Sequence, residues 1–80
     1  MNKAYTKTQL KDMPCERCGT KPSTQQWSIC ADDNKWRPLC DECDVDLNAL
    51  ILLWFGFKNY AAKMRKYAKR LGLKWRGPYA

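Results

Sequence analysis

Eighty residues, or 9.4 kDa, leave room for one small hydrophobic core and exclude a large multidomain scaffold. A hydrophobic share of 45% with four Trp, four Tyr and two Phe excludes a disordered tail, and the absence of His removes the side chain most often used as general base or neutral metal ligand near neutral pH. Lys and Arg number 15 against 8 Asp and Glu, a formal charge of +7, and a core of this size supplies only about 3–5 kcal/mol, so a staple is expected, for which five Cys are available.

In chain order, residues 1–13 show no clear periodicity and form an N-terminal arm, with Leu10 and Met13 available to pack back on the domain. No apolar run of the secretory kind occurs there, and the longest apolar run, residues 49–55, is far below the roughly 18 residues a membrane span needs. The expectation is a chain without membrane contact in the reducing cytoplasm, that of a host cell if the protein is viral. Cys15-Glu16-Arg17-Cys18-Gly19 makes a tight turn whose glycine permits the left-handed backbone a metal knuckle often needs.

Two short strands are expected next, over residues 25–31 and 35–39, with Trp27, Ile29, Trp36 and Leu39 as apolar members and Asp32, Asp33 and Asn34 as turn formers between them. A helix opens near Cys40 or Asp41, where Asp41, Glu42, Asp44 and Asp46 oppose the positive end of its dipole. Leu47, Leu50, Ile51 and Trp54 follow helical spacing, but Leu52, Leu53 and Phe55 fill the other faces, so this helix is apolar almost all round. Gly56 interrupts it. From Phe57 the set Tyr60, Ala61, Met64, Tyr67, Ala68 and Leu71 makes one stripe of a second helix that ends near Gly72, a C-cap glycine.

Cys15-x2-Cys18 and Cys40-x2-Cys43 are two thiolate knuckles separated by a hairpin's length of chain, and four soft ligands at tetrahedral reach select one structural Zn²⁺. The rival, a dithiol redox site, needs only one such pair and a βαβ surround that is missing here. Metal affinity in small finger peptides is worth about 10–16 kcal/mol, several times the core estimate, so zinc is expected to be required for folding. Cys30, at a strand position, is expected to be a small buried hydrophobe; a substitute or redox-sensing ligand is the alternative.

The order knuckle, hairpin, second knuckle opening a helix resembles the treble-clef zinc finger. Arg37-Pro38-Leu39-Cys40-Asp41-Glu42-Cys43-Asp44, followed by Leu47-Asn48, is similar to the second zinc knuckle of the phage recombination endonuclease VII family. That resemblance implies a structural zinc site on the four cysteines, beside which the family carries an Asp-His pair and an Asn immediately after the last cysteine. This chain has Asp44 in the place of that Asn, no His, and too short a stretch between the knuckles for the catalytic hairpin. Asp32, Asp33 and Asp44 offer oxygen ligands for Mg²⁺, but turn and helix-start roles account for all three, and a non-catalytic scaffold is expected, with a divergent endonuclease VII-like nuclease the less favoured alternative.

Residues 1–57 carry a net charge of −1 and residues 58–80 a net charge of +8, with no acidic side chain in the latter. Lys58, Lys63, Arg65, Lys66, Lys69 and Arg70 lie off the apolar stripe of the second helix, and Lys74 and Arg76 extend them, an electrostatic footprint for DNA or RNA. A merely solvated face is the bland alternative. Trp75 and Tyr79 offer stacking surface, although Trp75 equally suits a core cap. Leu53, Trp54, Phe55 and Phe57 form a second candidate surface, for a protein partner or a second copy, and the phage-type resemblance makes inhibition or redirection of a host protein the corresponding function.

The sequence therefore predicts a small α+β zinc-stabilised domain: an arm (1–13), a treble-clef unit (14–57), and a basic amphipathic helix and tail packed on it (58–80).

Overall fold

A capping box starts the first ordered element. In the computed structural model, which describes residues 3–75, the Gln9 N–H donates to Thr6 Oγ1 (3.2 Å) while the Thr6 N–H donates to Gln9 Oε1 (2.9 Å), and helix α1 runs from Lys7 to Lys11. This helix lies inside the segment read as an arm. Its Leu10 is buried, and the Ser23 N–H donates to the Leu10 and Met13 carbonyls while Ser23 Oγ donates to Met13 O. Upstream, the Gln26 side chain behaves as a length of strand, accepting from the Tyr5 N–H and donating to the Tyr5 carbonyl, both at 2.7 Å.

Strands β1 (Gln25–Ser28) and β2 (Trp36–Leu39) form the expected antiparallel hairpin, with Gln25 opposite Leu39 and Ser28 opposite Trp36. The first strand is shorter than its alternation predicts. At Ile29 the chain turns into a 3-10 turn over Cys30–Asp32, followed by Asp33 and Asn34 at φ 55° and 59°, and the Asn34 N–H closes the loop on the Ile29 carbonyl. Asp and Asn tolerate that left-handed backbone better than other side chains, so the turn residues fix where the strand stops. Cys30 consequently leaves the strand and is exposed, which corrects the expectation of a buried position.

Helix α2 (Asp41–Trp54) begins where the carboxylates predict. By backbone proximity the chain falls into two units divided after Asp44: the first holds α1, the hairpin and the opening turn of α2, the second the remainder of α2 and helix α3 (Tyr60–Arg70). In the second unit, Val45 and Ala49 of α2 pack with Met64 and Ala68 of α3, surrounded by Leu52, Tyr60, Tyr67, Leu71, Leu73 and Trp75. Trp75 meets Tyr60 edge to face, so of its two sequence readings the structure places it at the core. No helix among the described residues is long and apolar enough to cross a membrane.

Both helices of the second unit stop by one device. Gly56 and Gly72 each take φ 75°; the Gly56 and Phe57 N–H groups donate to the Leu53 and Leu52 carbonyls, and the Gly72 and Leu73 N–H groups to those of Lys69 and Ala68. Nothing lies within 4 Å of a Cβ built at either glycine, so the demand is conformational rather than steric. Gly72→Ala is therefore expected to destabilise the protein by about 1–2 kcal/mol, and d-alanine at the same position, introduced by chemical synthesis, not to destabilise it. Thermal unfolding of the two proteins checks this; equal losses would point to a steric cause.

Candidate metal centre

The sulfurs of Cys15, Cys18, Cys40 and Cys43 all lie within 4.8 Å of one another, the one group of three or more potential Cys, His, Asp or Glu ligands brought together among the described residues. Local backbone rules build each half. After Cys15 the chain reverses through Gly19 at φ 78°, whose N–H donates to the Cys15 carbonyl at 2.8 Å, and the Cys18 N–H points at Cys15 Sγ at 3.5 Å. The second pair is presented by the end of β2 and the first turn of α2. Two bonds lock the halves together: the Glu16 N–H donates to the Pro38 carbonyl at 2.9 Å, and the Thr24 N–H to the Leu39 carbonyl at 3.0 Å. Thr24 Oγ1 also donates to Asp41 at the start of α2.

The donor set fits a tetrahedral ion. Metal–sulfur bonds of about 2.3 Å place neighbouring sulfurs about 3.8 Å apart, against 3.7 Å between Cys18 and Cys40, a separation far beyond the roughly 2.05 Å of a disulfide. Burial opposes ionisation of the Cys15 thiol, yet the N–H groups of Cys18, Cys40 and Arg17 outweigh it and bring its pKa down to about 6. Hydrogen bonds from the Thr20 hydroxyl and N–H lower that of Cys18. Cys40 and Cys43 are pushed up, in both cases mainly by burial, and in Cys43 also by the neighbouring sulfurs. Hydrogen bonding thus favours the thiolate at Cys15 and Cys18, whereas burial disfavours it at Cys40 and Cys43. A soft dication bound by the four sulfurs would favour the thiolate at all of them. Cys15 and Cys43 are buried, Cys40 is partly so and Cys18 faces solvent.

The carboxylates considered for Mg²⁺ do not converge. Asp32 is bound by Arg37 through Nε (2.6 Å) and Nη2 (2.9 Å), which holds its carboxyl below the usual range and raises the Arg37 pKa, while Glu16 adds a longer contact to Arg37 at 3.7 Å. Asp33 sits in the left-handed hairpin turn. Asp44 is 2% exposed and accepts from the Trp27 indole Nε1–H at 2.6 Å, tying the helix start to β1.

Among the residues expected to meet nucleic acid, Lys58, Lys63, Arg65, Lys66, Lys69, Arg70 and Lys74 are all exposed, whereas Arg76, like Tyr79, falls outside the described residues. The apolar candidates are exposed too: Leu53 39%, Trp54 80%, Phe55 66% and Phe57 44%. The sequence reasoning missed the Trp27–Asp44 and Gln26–Tyr5 bonds, which join positions 17 and 21 residues apart and have no periodic signature. No family model matches the chain, and no curated protein or solved structure matches it either.

Two predictions follow from this geometry. If Asp44 serves the fold, Asp44→Ala and Trp27→Phe each cost about 1.5–3 kcal/mol, and a double-mutant cycle in denaturant yields a favourable coupling; strictly additive losses would place Asp44 outside this role. Stripping metal with a chelator, or making Cys18→Ser or Cys43→Ser, is expected to abolish cooperative unfolding and most far-UV dichroism, and native mass spectrometry to find one metal ion per chain. A chain that unfolds cooperatively in chelator contradicts the latter.

Proposed function

We propose that the four cysteines hold one structural zinc ion in a treble-clef arrangement, and that the protein is a non-catalytic module binding DNA or RNA through the basic face of α3 and the residues after it. Four thiolates with no nitrogen or oxygen ligand favour zinc over harder ions. The treble-clef assignment is supported by the sequence of a knuckle closed by Gly19, a hairpin, and a knuckle at the N-terminus of α2. The structural employment of Asp32 and Asp44, with the lack of His, supports a binding role rather than a hydrolytic one. A role as a small phage-type accessory or regulatory protein rests on the likeness of residues 37–48 to the endonuclease VII knuckle.

The observation that carries the reading is the segregation of charge on α3. Met64 and Ala68 are buried, Tyr60, Tyr67 and Leu71 are half-buried, and every Lys and Arg of the helix is exposed, with no carboxylate side chain anywhere after Asp46. Uninterrupted cationic surface of this kind repels itself, and a polyanion relieves that repulsion with release of counterions.

Binding is therefore expected to weaken with a log–log salt slope of about −0.7 to −0.9 for each phosphate neutralised, and reversal of Lys63, Arg65, Lys66 and Lys69 to Glu to abolish it without loss of zinc. Gel-shift titration across a salt series measures both. Salt-independent binding, or none, rejects the reading.

A further inference from the structure

At the C-terminal end of α2 three aromatic rings remain in solvent. Trp54 and Phe55 meet edge to face with centroids 5.0 Å apart at 88°, and Phe55 meets Phe57 at 6.5 Å and 69°. Perpendicular packing leaves the Trp54 ring, 80% exposed, without a parallel ring on its face among the described residues. The glycine stop at Gly56 turns the chain between Phe55 and Phe57, so the cluster is fixed by backbone hydrogen bonds.

Its surroundings are cationic. Lys63 Nζ stands over the Phe57 ring at 5.5 Å from the centroid, and Lys58 follows Phe57 directly. On α3, Lys66 and Arg70 lie three and seven residues after Lys63 and share its edge of the helix, while Arg65 and Lys69 occupy a different edge. A row of cations thus begins at the aromatic cluster and runs along α3. Asp46 is the last acidic side chain of the whole sequence, so no carboxylate side chain in the second unit's loop or α3 competes for these cations.

We propose that Trp54, Phe55 and Phe57 form a base-stacking platform for single-stranded nucleic acid, whose phosphates follow Lys63, Lys66 and Arg70. The assignment rests on the nucleic-acid reading above and adds to it the strand state of the ligand and the side chains that meet its bases. A base face needs an exposed ring, and a duplex keeps those faces within its own stack; phosphates one or two linkages away need cations beside that ring. Charge complementarity selects this occupant over a protein partner or a second copy of the chain, since a second copy would bring the same uncompensated cations to the contact.

The test uses the full-length, metal-loaded chain and fluorescence anisotropy with a short labelled oligothymidine, its RNA counterpart and a duplex of equal length. Single strands are expected to bind about tenfold or more tightly than the duplex. Trp54→Ala and Phe55→Ala should each weaken single-strand binding about tenfold while leaving duplex binding and the salt slope unchanged, with Trp54→Phe retaining most of the affinity. Joint reversal of Lys63, Lys66 and Arg70 to Glu should flatten the salt slope more than reversal of Arg65 and Lys69. Equal affinity for single strand and duplex, indifferent to Trp54→Ala, overturns the platform and leaves the nucleic-acid reading standing. Absence of binding to every probe overturns that reading, and this inference with it. A dimer in sedimentation that Trp54→Ala dissociates, with single-strand binding unchanged, also overturns the platform and assigns the rings to self-association.

Discussion

Four sulfurs held within 4.8 Å of one another are the constraint on which the first unit depends. Among the described residues, Leu10 and Leu39 are the leucines buried there, beside Pro38, Cys15 and Cys43, and each leucine contributes about 1.5–3 kcal/mol at best. Fixing the backbone opposes folding by about 1–2 kcal/mol per residue. A shared cation binding four thiolates supplies about 10–16 kcal/mol and does so at a point that ties together positions 15 and 43 of the chain. The polar bonds around it would add to that anchor: Glu16 to Pro38, Thr24 to Asp41 and Trp27 to Asp44 each join segments that a metal on the four sulfurs would also tie together.

The second unit is built on the opposite principle. Its buried residues Val45, Ala49, Met64 and Ala68 contain no polar atom in their side chains apart from the Met64 thioether, and its helices end on backbone geometry at Gly56 and Gly72. Two of the four buried positions are alanines, whose small side chains leave little volume to hide more apolar surface. Leu50, Leu53, Trp54, Phe55 and Phe57 accordingly remain outside. Polar and apolar cohesion are thus separated along the chain, with α2 the covalent link between them.

What could be read from the sequence was what obeys local rules. Cys15-x2-Cys18-Gly19 implies a knuckle because the spacing and the glycine satisfy one turn's geometry, and Gly56 and Gly72 imply helix stops because no other residue takes φ 75° so readily. The hairpin and the start of α2 followed from turn residues and first-turn carboxylates in the same way. Contacts between distant positions were not legible: nothing near Asp44 announces Trp27, and nothing near Gln26 announces Tyr5. The 3-10 turn at Cys30 was hidden because alternation through Ile29 suggests continued strand, whereas Asp33 and Asn34 in the left-handed region override it. Helix α1 has five residues, too few for a periodic stripe, although Thr6-x-x-Gln9 carries the capping pattern that starts it.

Charge makes the division between the chain's halves chemically useful. Four thiolates around one dication would add two negative charges to the part of the sequence that already holds every carboxylate side chain, whereas residues 58–80 carry +8 with none. For the polyanionic ligand proposed above, residues 58–80 would supply the attraction and residues 1–57 none, so the charge of α3 would steer its approach before any specific contact forms. On the reading proposed above, phosphates would follow the row that begins at Lys63, and the side chains beside that row able to meet a base would be Phe57 and its neighbours. Exposed aromatic rings would otherwise be a liability for a small protein, since they favour aggregation. Cationic flanks oppose such self-association and, on the proposal above, would leave the rings available to a partner of opposite sign. On that proposal, the two features that look least like parts of a folded core, excess positive charge and unburied Trp54, share one physical explanation in a common ligand.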